Sequence, residues 1–309
     1  MTLRFSIIIP TRNRAAMLDK CLSALNAVDY PHDAFEVLVV DDGSDSPMAD
    51  VIERHAGAMR MHGLRTEGVG PATARNLALR RAAGEYVVFT DDDTQAHAGW
   101  LRAYDAAAKA HPMAGFGGAI VDAPENNLPE RTSQMLVSFL YDYNETTDAL
   151  RFFCSNNLVF PRQALMALGG FDESFPLAAG EDRYVCTRWL RQAPLEFVRD
   201  AVISHRQKLG LRGFIRQQFR YGRGASQFWR RRFAEDGSVN RVQPFHFYSQ
   251  LMTYPFGREP FPRAVAMSVL LFCSQVAGAA GYYSEQSRQR RADAESGRTS
   301  SDATGKAAL

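Results

Sequence analysis

Residues 86–93 read YVVFTDDD, five aromatic or β-branched residues followed at once by three aspartates. A short continuous run of this kind is typical of a strand buried on both faces of a parallel sheet. Two earlier runs have the same form: FSIII at residues 5–9 leads into Pro10-Thr11, and FEVLVV at residues 35–40 leads into Asp41-Asp42. Helical patterns separate these runs. The alternation predicts right-handed crossovers in a mostly parallel α/β sheet that is flanked by helices.

The order is looser beyond residue 115, where we expect a further strand over 152–160. Residues 211–233 read as a long amphipathic helix, residues 264–284 contain no charged side chain, and residues 285–309 are mostly small, polar or charged. The sequence therefore predicts an α/β part followed by a helical extension, with no ordered structure in the tail over 285–309.

Composition limits the classes of protein that fit. The 309 residues are 46% hydrophobic, which suffices for a globular core, and the four cysteines form no CxxC pair. The wide spacing of the cysteines argues against a disulfide scaffold or a zinc site and fits a reducing compartment. With no signal-peptide pattern at the N-terminus, this spacing leads us to expect a cytoplasmic protein.

The net charge of +2 hides an asymmetry along the chain. Residues 1–198 carry 18 basic and 26 acidic side chains, whereas residues 199–263 carry 13 basic and 4 acidic ones. An acidic front followed by a basic segment predicts a site that needs carboxylates and a surface or pocket that faces anions.

The aspartates after residue 90 are the strongest candidates for chemistry. In an open parallel sheet the ligand crevice lies beyond the carboxyl ends of the strands, so the polar ends of the three runs should meet there. Three neighbouring carboxylates repel one another unless a cation compensates for their charge. We therefore expect Asp91 and Asp93 to share Mg²⁺ or Mn²⁺, with diphosphate oxygens as further ligands.

Asp41-Asp42-Gly43-Ser44 admits two interpretations. One carboxylate accepts hydrogen bonds from a nucleobase or ribose, or the segment is a capped turn with glycine in the left-handed region. A dinucleotide-binding reading of Gly68-Val69-Gly70 is poor, because the third glycine is missing and the first strand does not precede it.

The ordered set of motifs resembles family 2 glycosyltransferases, over about residues 4–206. The motifs are Pro10-Thr11-Arg12-Asn13-Arg14, Val40-Asp41-Asp42-Gly43-Ser44, Ala74-Arg75-Asn76, Gly84 to Asp93, Ser155-Asn156-Asn157-Leu158-Val159-Phe160, Gly169-Gly170-Phe171-Asp172-Glu173 and Gly180-Glu181-Asp182. The resemblance implies a GT-A (Rossmann-like) fold with a nucleotide-sugar half at 1–115 and an acceptor half at 116–206. A basic helical extension over 207–284 and the tail 285–309 would follow.

The resemblance also implies roles for individual residues. Asp182 would be the general base of an inverting transfer, and Asp93 would bind the metal that bridges the diphosphate. The residues implied for nucleotide-sugar binding are Pro10, Thr11, Arg12, Asp41, Asp42, Arg75, Asp91 and Asp92. His205 stands where some GT-A enzymes complete the metal shell, and Asn157, Glu181 and Arg220 are candidates for contacts with acceptor or diphosphate.

For each of the last candidates a structural role is also open. Glu181 and Asp182 suit the start of a helix, His205 suits a packed core, and Arg220 suits a solvated helix face. The segment around Arg220 reads QQFRY and is similar to the QxxRW element of processive members, with Tyr in place of Trp.

The function so implied is transfer of a sugar from a nucleoside diphosphate sugar to an acceptor hydroxyl, in polysaccharide, glycolipid or cell-envelope glycan synthesis. A nucleotidyltransferase of similar sheet topology is an alternative, although the turn after the first strand lacks the glycines that it usually needs. A non-catalytic sugar-nucleotide-binding protein is a second alternative. The expected partners are the donor and a glycan or lipid-linked acceptor, and we expect no nucleic acid.

Residues 264–284 are long enough to cross a bilayer. Spanning would translocate an arginine-rich tail, against the positive-inside tendency. A helix that lies in the membrane interface, or one packed in the protein, avoids this conflict. We therefore expect peripheral attachment to the anionic inner face of the plasma membrane.

Overall fold

The computed structural model describes residues 3–145, 151–175, 179–206, 208–238 and 243–305, with side chains described up to residue 291. Contacts divide the chain into two compact units, Met1–Leu209 and Gly210–Leu309. The first unit contains the sheet and the second contains the helical extension.

Within the described residues, eight strands form one sheet in the order β3-β2-β1-β4-β7-β6-β8-β5. Strands β1 to β4 run parallel, β7 is antiparallel to both of its neighbours, β6 and β8 are parallel, and β5 is antiparallel to β8. The strands are β1 (Phe5–Thr11), β2 (Phe35–Asp42), β3 (Arg60–Thr66), β4 (Tyr86–Thr90), β5 (Thr94–Ala96), β6 (Gly115–Asp122), β7 (Asn157–Pro161) and β8 (Leu195–His205).

Helices cover the sheet and account for the burial of its central strands. Every residue of β2 and β4 is buried, whereas the edge strand β3 alternates exposed and half-buried positions and carries Arg60, His62 and Arg65. The helices of this unit are α1 (Ala15–Asn26), α2 (Ala49–Ala56), α3 (Pro71–Arg81), α4 (Trp100–Ala110), α5 (Leu128–Glu145), α6 (Arg162–Leu168) and α7 (Glu181–Trp189). The predicted α/β sheet with flanking helices is confirmed.

Strand β7 is shorter than the sequence suggested. It begins at Asn157, because residues 155–156 form a turn before the pairing with β4 starts at Thr90 and Asn157. The apolar residues Phe152 and Phe153, which the sequence placed in this strand, are buried in the core ahead of it.

The second unit is built from α8 (Leu211–Asp236), α9 (Phe245–Thr253), a 3-10 turn (Tyr254–Gly257) and α10 (Phe261–Gly305). Helices α8 and α10 pack closely at three glycines. A Cβ at Gly222 would collide with the carbonyl oxygen of Gly278, and one at Gly281 would collide with that of Phe219. The extension predicted after the sheet is therefore a tightly packed helical unit.

Helix α10 continues without a break through Gly305, so residues 285–305 of the tail predicted to be disordered are helical, and residues 306–309 lie outside the described residues. Glu285 is fully buried and accepts hydrogen bonds from Arg223 Nε at 2.9 Å and from Gln227 Nε2 at 3.0 Å, and Arg288 pairs with it from the next turn. This network ties the start of the polar tail to α8, a contact that composition alone does not reveal.

Within the span Phe261–Arg291 of α10, the most apolar 18-residue window has a mean hydropathy of 1.7, and one third of that window is buried. By length and composition alone, this helix could cross a membrane, and it is the one such helix among the described residues.

Candidate active site

The carboxyl ends of β1, β2 and β4 bring their loops to one edge of the sheet, as the sequence predicted. Thr11 pairs with Asp41 in the register of β1 and β2, and the turn after β4 carries the three aspartates. The Oγ1 of Thr11 donates a hydrogen bond of 2.7 Å to Oδ2 of Asp92, which joins the first and fourth strands directly.

Each aspartate of the triplet lies beside a cationic side chain, and Asp92 and Asp93 share one. Asp91 Oδ1 accepts from Nη2 of Arg75 at 2.9 Å, and Asp92 Oδ1 accepts from Nη1 of Arg14 at 3.0 Å. The same Arg14 nitrogen lies 3.1 Å from Oδ2 of Asp93. Cations of the chain itself therefore compensate much of the repulsion from which the sequence inferred a metal.

Asp93 and His205 form the remaining pair of the cluster. Nε2 of His205 lies 3.3 Å from Oδ1 of Asp93, yet this buried oxygen accepts no well-aligned hydrogen bond. The backbone N–H of Arg206 donates to the Asp93 carbonyl at 2.8 Å and fixes the end of β8 beside the triplet. An underused carboxylate oxygen next to an imidazole is a donor set that fits Mn²⁺, with positions left for phosphate oxygens or water.

The structure does not bring Asp91 into that pair, since its carboxylate is engaged with Arg75. Among the residues that the structure describes, no three His, Cys, Asp or Glu side chains come together as a complete metal site. A cation at this edge would therefore need ligands from a bound diphosphate in addition to those of the protein.

Burial sets the protonation behaviour of the triplet. Burial raises the pKa of Asp92 to about 6, helped by the charge of Asp93 and opposed by Arg14 and Thr11. Burial would also raise the pKa of Asp93, but His205 and Arg14 outweigh it and the pKa is lowered. The Asp93 carboxylate in turn overcomes the burial of His205 and raises the pKa of its imidazole.

Asp41 and Asp42 hold the loops around the second strand. Asp41 accepts from the backbone N–H groups of Ser44 and Met48 and from Arg65 at 2.5 Å. Asp42 accepts from Oγ1 of Thr66 and from the backbone N–H groups of Val69 and Gly70. Asp41 therefore caps the turn 41–44, and Asp42 shapes the glycine loop that the sequence had singled out. A contact of either carboxylate with a nucleobase or ribose stays a prediction.

Asn13 fixes the conformation of the loop after β1. Its φ is 56°, and it is the one non-glycine residue with a positive φ among the described residues. Its backbone N–H donates to Oγ of Ser44, and its side chain exchanges hydrogen bonds with Asp45. On either side of Asn13, the exposed Arg12 lies against Gly68, whereas Arg14 reaches the aspartates. Arg12 thus stands near the loop that Asp42 shapes, whereas the half-buried Pro10 pairs with Val40 in the sheet. Arg14 is a site residue that the sequence analysis did not select.

Arg75 links the two halves of the site. Its side chain is 4% exposed, and it pairs with Asp91 at 2.9 Å and with Glu181 Oε1 at 3.3 Å. Its guanidinium also lies over the ring of Phe171, 5.5 Å from the centroid. The end of β4 and the start of α7 are therefore held together by one buried cation on α3.

Asn76 fixes the loop that leads to α7. It accepts from the backbone N–H of Phe171 and donates to the Phe171 carbonyl and to Glu173. Gly170, at φ 68°, leaves no room for a Cβ beside the Asn76 amide. Arg75 and Asn76 thus hold the end of β4, the loop at Phe171 and the start of α7 in place. The sequence analysis identified only the arginine as a site residue.

Glu181 and Asp182 begin α7 and differ in surroundings. Glu181 is buried, its Oε2 has no hydrogen-bond partner, and burial together with the Asp182 charge raises its pKa against the effect of Arg75. Asp182 is half-buried and accepts the Arg183 backbone N–H at 2.7 Å. Burial raises the pKa of Asp182 despite this bond, which suits a carboxylate that must accept a proton.

Asn157 is not available to an acceptor, which corrects the sequence-based prediction. Its side chain is fully buried, with Oδ1 accepting from Trp100 and Tyr104 and Nδ2 donating to the carbonyl oxygens of Ala119 and Ala201. These bonds use both donors and both lone pairs. Asn157 is a core polar residue that ties together β6, β7, β8 and α4.

Arg220 lies on the exposed face of α8, in the second unit. Its contact with acceptor or diphosphate stays a prediction.

Solved structures of other proteins identify the fold class of this chain. A mannosyltransferase, PcManGT from Pyrobaculum calidifontis in complex with GDP-Man and Mn²⁺, superposes with a TM-score of 0.59 at 21% identity, over 90% of this chain and 87% of that one. TarS 1-349 from S. aureus in complex with UDP-GlcNAc gives a TM-score of 0.56 at 19% identity, over 93% and 92%. The fold is that of the GT-A glycosyltransferases.

The family model described as glycosyl transferase family 2 matches residues 6–169, which include β1 to β7 and the aspartate triplet. The chain belongs to this family.

Relatives of known name share parts of the chain. The glycosyltransferase AglE of Haloferax volcanii is 27% identical over 232 residues, 72% of this chain and 73% of that protein. Poly(ribitol-phosphate) beta-N-acetylglucosaminyltransferase TarS of Staphylococcus aureus is 37% identical over 93 residues, which are 29% of this chain and 16% of TarS. The chondroitin synthase of Pasteurella multocida is 29% identical over 57% of this chain and 22% of that enzyme. The matched segment is thus a small part of TarS and of the chondroitin synthase, whereas it spans most of AglE.

Proposed function

We propose that the protein transfers a sugar, with inversion, from a nucleoside diphosphate sugar to an acceptor hydroxyl of a glycan or a lipid-linked glycan. The observation that carries the proposal is the Arg75 bridge, because it ties the aspartate edge to the helix start that presents Asp182. The relatives include proteins named as sugar transferases, and solved neighbours hold GDP-Man, UDP-GlcNAc or UDP.

In the proposed reaction, the donor occupies the edge formed by the loops after β1, β2 and β4. Arg12 and the loop capped by Asp42 would face the nucleoside, while Thr11 and Arg14 hold Asp92 in place. Asp93 and His205 would hold Mn²⁺ or Mg²⁺, which supplies positive charge to the departing diphosphate. This assignment is supported by the underused Oδ1 of Asp93 and by the Mn²⁺ in the PcManGT complex.

Asp182 is the proposed general base. Its carboxylate takes the proton of the acceptor hydroxyl as the hydroxyl oxygen bonds to the anomeric carbon and the bond to the diphosphate breaks. Arg75 acts as a positioning residue, because it holds Glu181, the neighbour of the base, at a fixed place.

We propose a cytoplasmic location at the inner face of the membrane. The basic stretch 199–263 and the uncharged stretch 264–284 that follows it support attachment to an anionic surface.

The test is a panel of nucleotide sugars with Mn²⁺, in which release of nucleoside diphosphate is measured. Asp182→Asn keeps the shape of the side chain but removes the base, so turnover should fall by about 10²–10⁴ while calorimetric donor binding is retained. Asp200→Asn, the same change on an exposed position of β8, is the control and should turn over at the wild-type rate. Wild-type turnover by Asp182→Asn would overturn the assignment, and release of pyrophosphate would favour nucleotidyl transfer.

A further inference from the structure

Helix α10 has an exposed apolar face. Five large side chains on it are between 40% and 61% exposed, and we call them the α10 stripe: Val265, Val269, Phe272, Val276 and Tyr283. Their spacing of three or four residues, with Ala279 between the last two, places them on one side of the helix. The opposite side, including Met267 and Leu271, is fully buried.

The helix is therefore apolar on both its buried and its exposed side, which differs from what a water-exposed helix requires. A helix at the surface of a soluble protein buries its apolar side and exposes charged residues. The segment 264–284 has no charged residue on either side. The stripe extends over eighteen helical steps, or about 27 Å, which is long for an apolar patch on a soluble surface.

Cationic and aromatic side chains lie at both ends of the stripe. Before it, Phe256 and Phe261 are exposed with ring centroids 5.8 Å apart, and Arg258 and Arg263 are exposed as well. After it, Arg288, Arg290 and Arg291 are exposed. Apolar and aromatic residues flanked by arginines are the chemistry of helices that bind anionic lipid surfaces.

We propose that the α10 stripe docks on an anionic bilayer and that α10 lies flat in the membrane interface. This inference deepens the membrane attachment proposed above by naming its surface and its orientation, and it does not depend on the sugar-transfer reaction.

The position of helix α8 favours a flat over a spanning orientation of α10. Residues 219–223 of α8 pack against Gly278 and Gly281, and Arg223 and Gln227 bond to Glu285, so the two helices run side by side in the same direction. Arg220 is therefore level with the α10 stripe, and Arg216 lies one helical turn before Arg220 on α8. Both arginines are exposed. A spanning α10 would carry these arginines into hydrocarbon, whereas a flat α10 leaves them in water.

The primary test is flotation of the full chain with vesicles of phosphatidylcholine, with and without phosphatidylglycerol. Binding should require the anionic lipid at low salt and weaken at about 1 M salt, where the Debye length is about 3 Å. The absence of binding to anionic vesicles at low salt would overturn the proposal.

The variant Phe272→Glu places a charge at the centre of the stripe. It should lower vesicle affinity by about tenfold or more, since burial of one Phe side chain accounts for at least that factor. Met113→Glu is the matched control, because Met113 is 64% exposed on the first unit, and its affinity should equal that of the wild type. Valine to serine at Val269 and Val276 is a milder second pair, and circular dichroism checks that each variant is folded.

Three results would contradict the assignment. Vesicle binding of Phe272→Glu at the wild-type level would remove the stripe from the interface. A dimer in light scattering that Phe272→Glu converts to a monomer, without vesicle binding by the wild type, would assign the stripe to a second copy. Protection of a C-terminal tag from protease added outside sealed vesicles would show a spanning helix. Nucleotide binding is measured in the same samples, so failure of the docking surface is distinguishable from failure of the donor site.

Discussion

Replacement of Arg75 by methionine tests the link between the two halves of the site. Arg75→Met keeps most of the apolar stem but removes the cation from Asp91 at 2.9 Å and from Glu181 at 3.3 Å. Loss of one partner of a buried ion pair costs about 3–5 kcal/mol. The Asp91 side chain is 32% exposed and regains water, so we expect about 3 kcal/mol, the lower end of that range. A domain of ordinary stability remains folded after such a loss.

The assay is urea unfolding followed by tryptophan fluorescence in a Trp229→Phe background. The remaining tryptophans, Trp100 and Trp189, are both buried in the first unit, so the signal reports that unit alone. Arg80→Met is the control on the same helix, because Arg80 is exposed and lies 3.8 Å from Glu173. An exposed pair of this kind contributes less than about 1 kcal/mol.

A double-mutant cycle identifies the cause of the loss. A neutral glutamine at position 181 does not require the positive charge of Arg75. Glu181→Gln should therefore lower the free energy of unfolding less in the Arg75→Met background than in the wild type, or even raise it, with a coupling energy of about 1–2 kcal/mol. A loss below about 1 kcal/mol for Arg75→Met, or strictly additive costs in the cycle, would refute the reasoning.

Two further predictions concern the cluster at Asp93 and the network at Glu285. Asp93→Ala should retain the fold but lose the Mn²⁺-dependent part of its nucleotide affinity, measured by calorimetry with and without the metal; equal affinities for Asp93→Ala and wild type in Mn²⁺ would contradict the assignment. The hydrogen bond from Arg288, together with those from Gln227 and Arg223, lowers the pKa of Glu285 from 4.5 to about 2, although burial acts in the opposite direction. Its stabilising effect should therefore be complete above pH 4.5 and be lost as the pH falls towards 2. Melting of Glu285→Gln followed at Trp229 should show a deficit of about 2 kcal/mol at neutral pH that closes in this acidic window, and a deficit that does not change with pH would argue against the ion pair.

The sequence was sufficient to predict that the polar ends of β1, β2 and β4 meet at one edge of the sheet. The runs at β1, β2 and β4 are apolar enough to be buried parallel strands, and parallel strands place their carboxyl ends at one edge, so Thr11, Asp41 and Asp91 had to come together. That step uses only the direction of each strand, which the pattern contains.

The partners within the site could not be predicted in the same way. Arg12 and Arg14 are two residues apart in one turn, and which of them faces the aspartates depends on Asn13 adopting positive φ. Asn157 resembled an acceptor residue because buried and functional asparagines look alike in a sequence. Only its contacts with Trp100 and Tyr104 assign it to the core. The helix at the start of the tail could not be predicted for the same reason, since composition does not reveal the partner that Glu285 has on α8.

The pairing of β5 with β8 has a consequence for the order in which the protein forms. Thr94, directly after the aspartate triplet, pairs with His205, and Arg206 holds the carbonyl of Asp93. Contacts between residues so far apart in sequence close late, because the intervening chain must first be ordered. On the ribosome, the triplet emerges long before the strand that fixes it. A nascent chain can thus fold the strands β1 to β4 before β8 is present, and the aspartate turn acquires its contacts with His205 and Arg206 only after β8 has been synthesised.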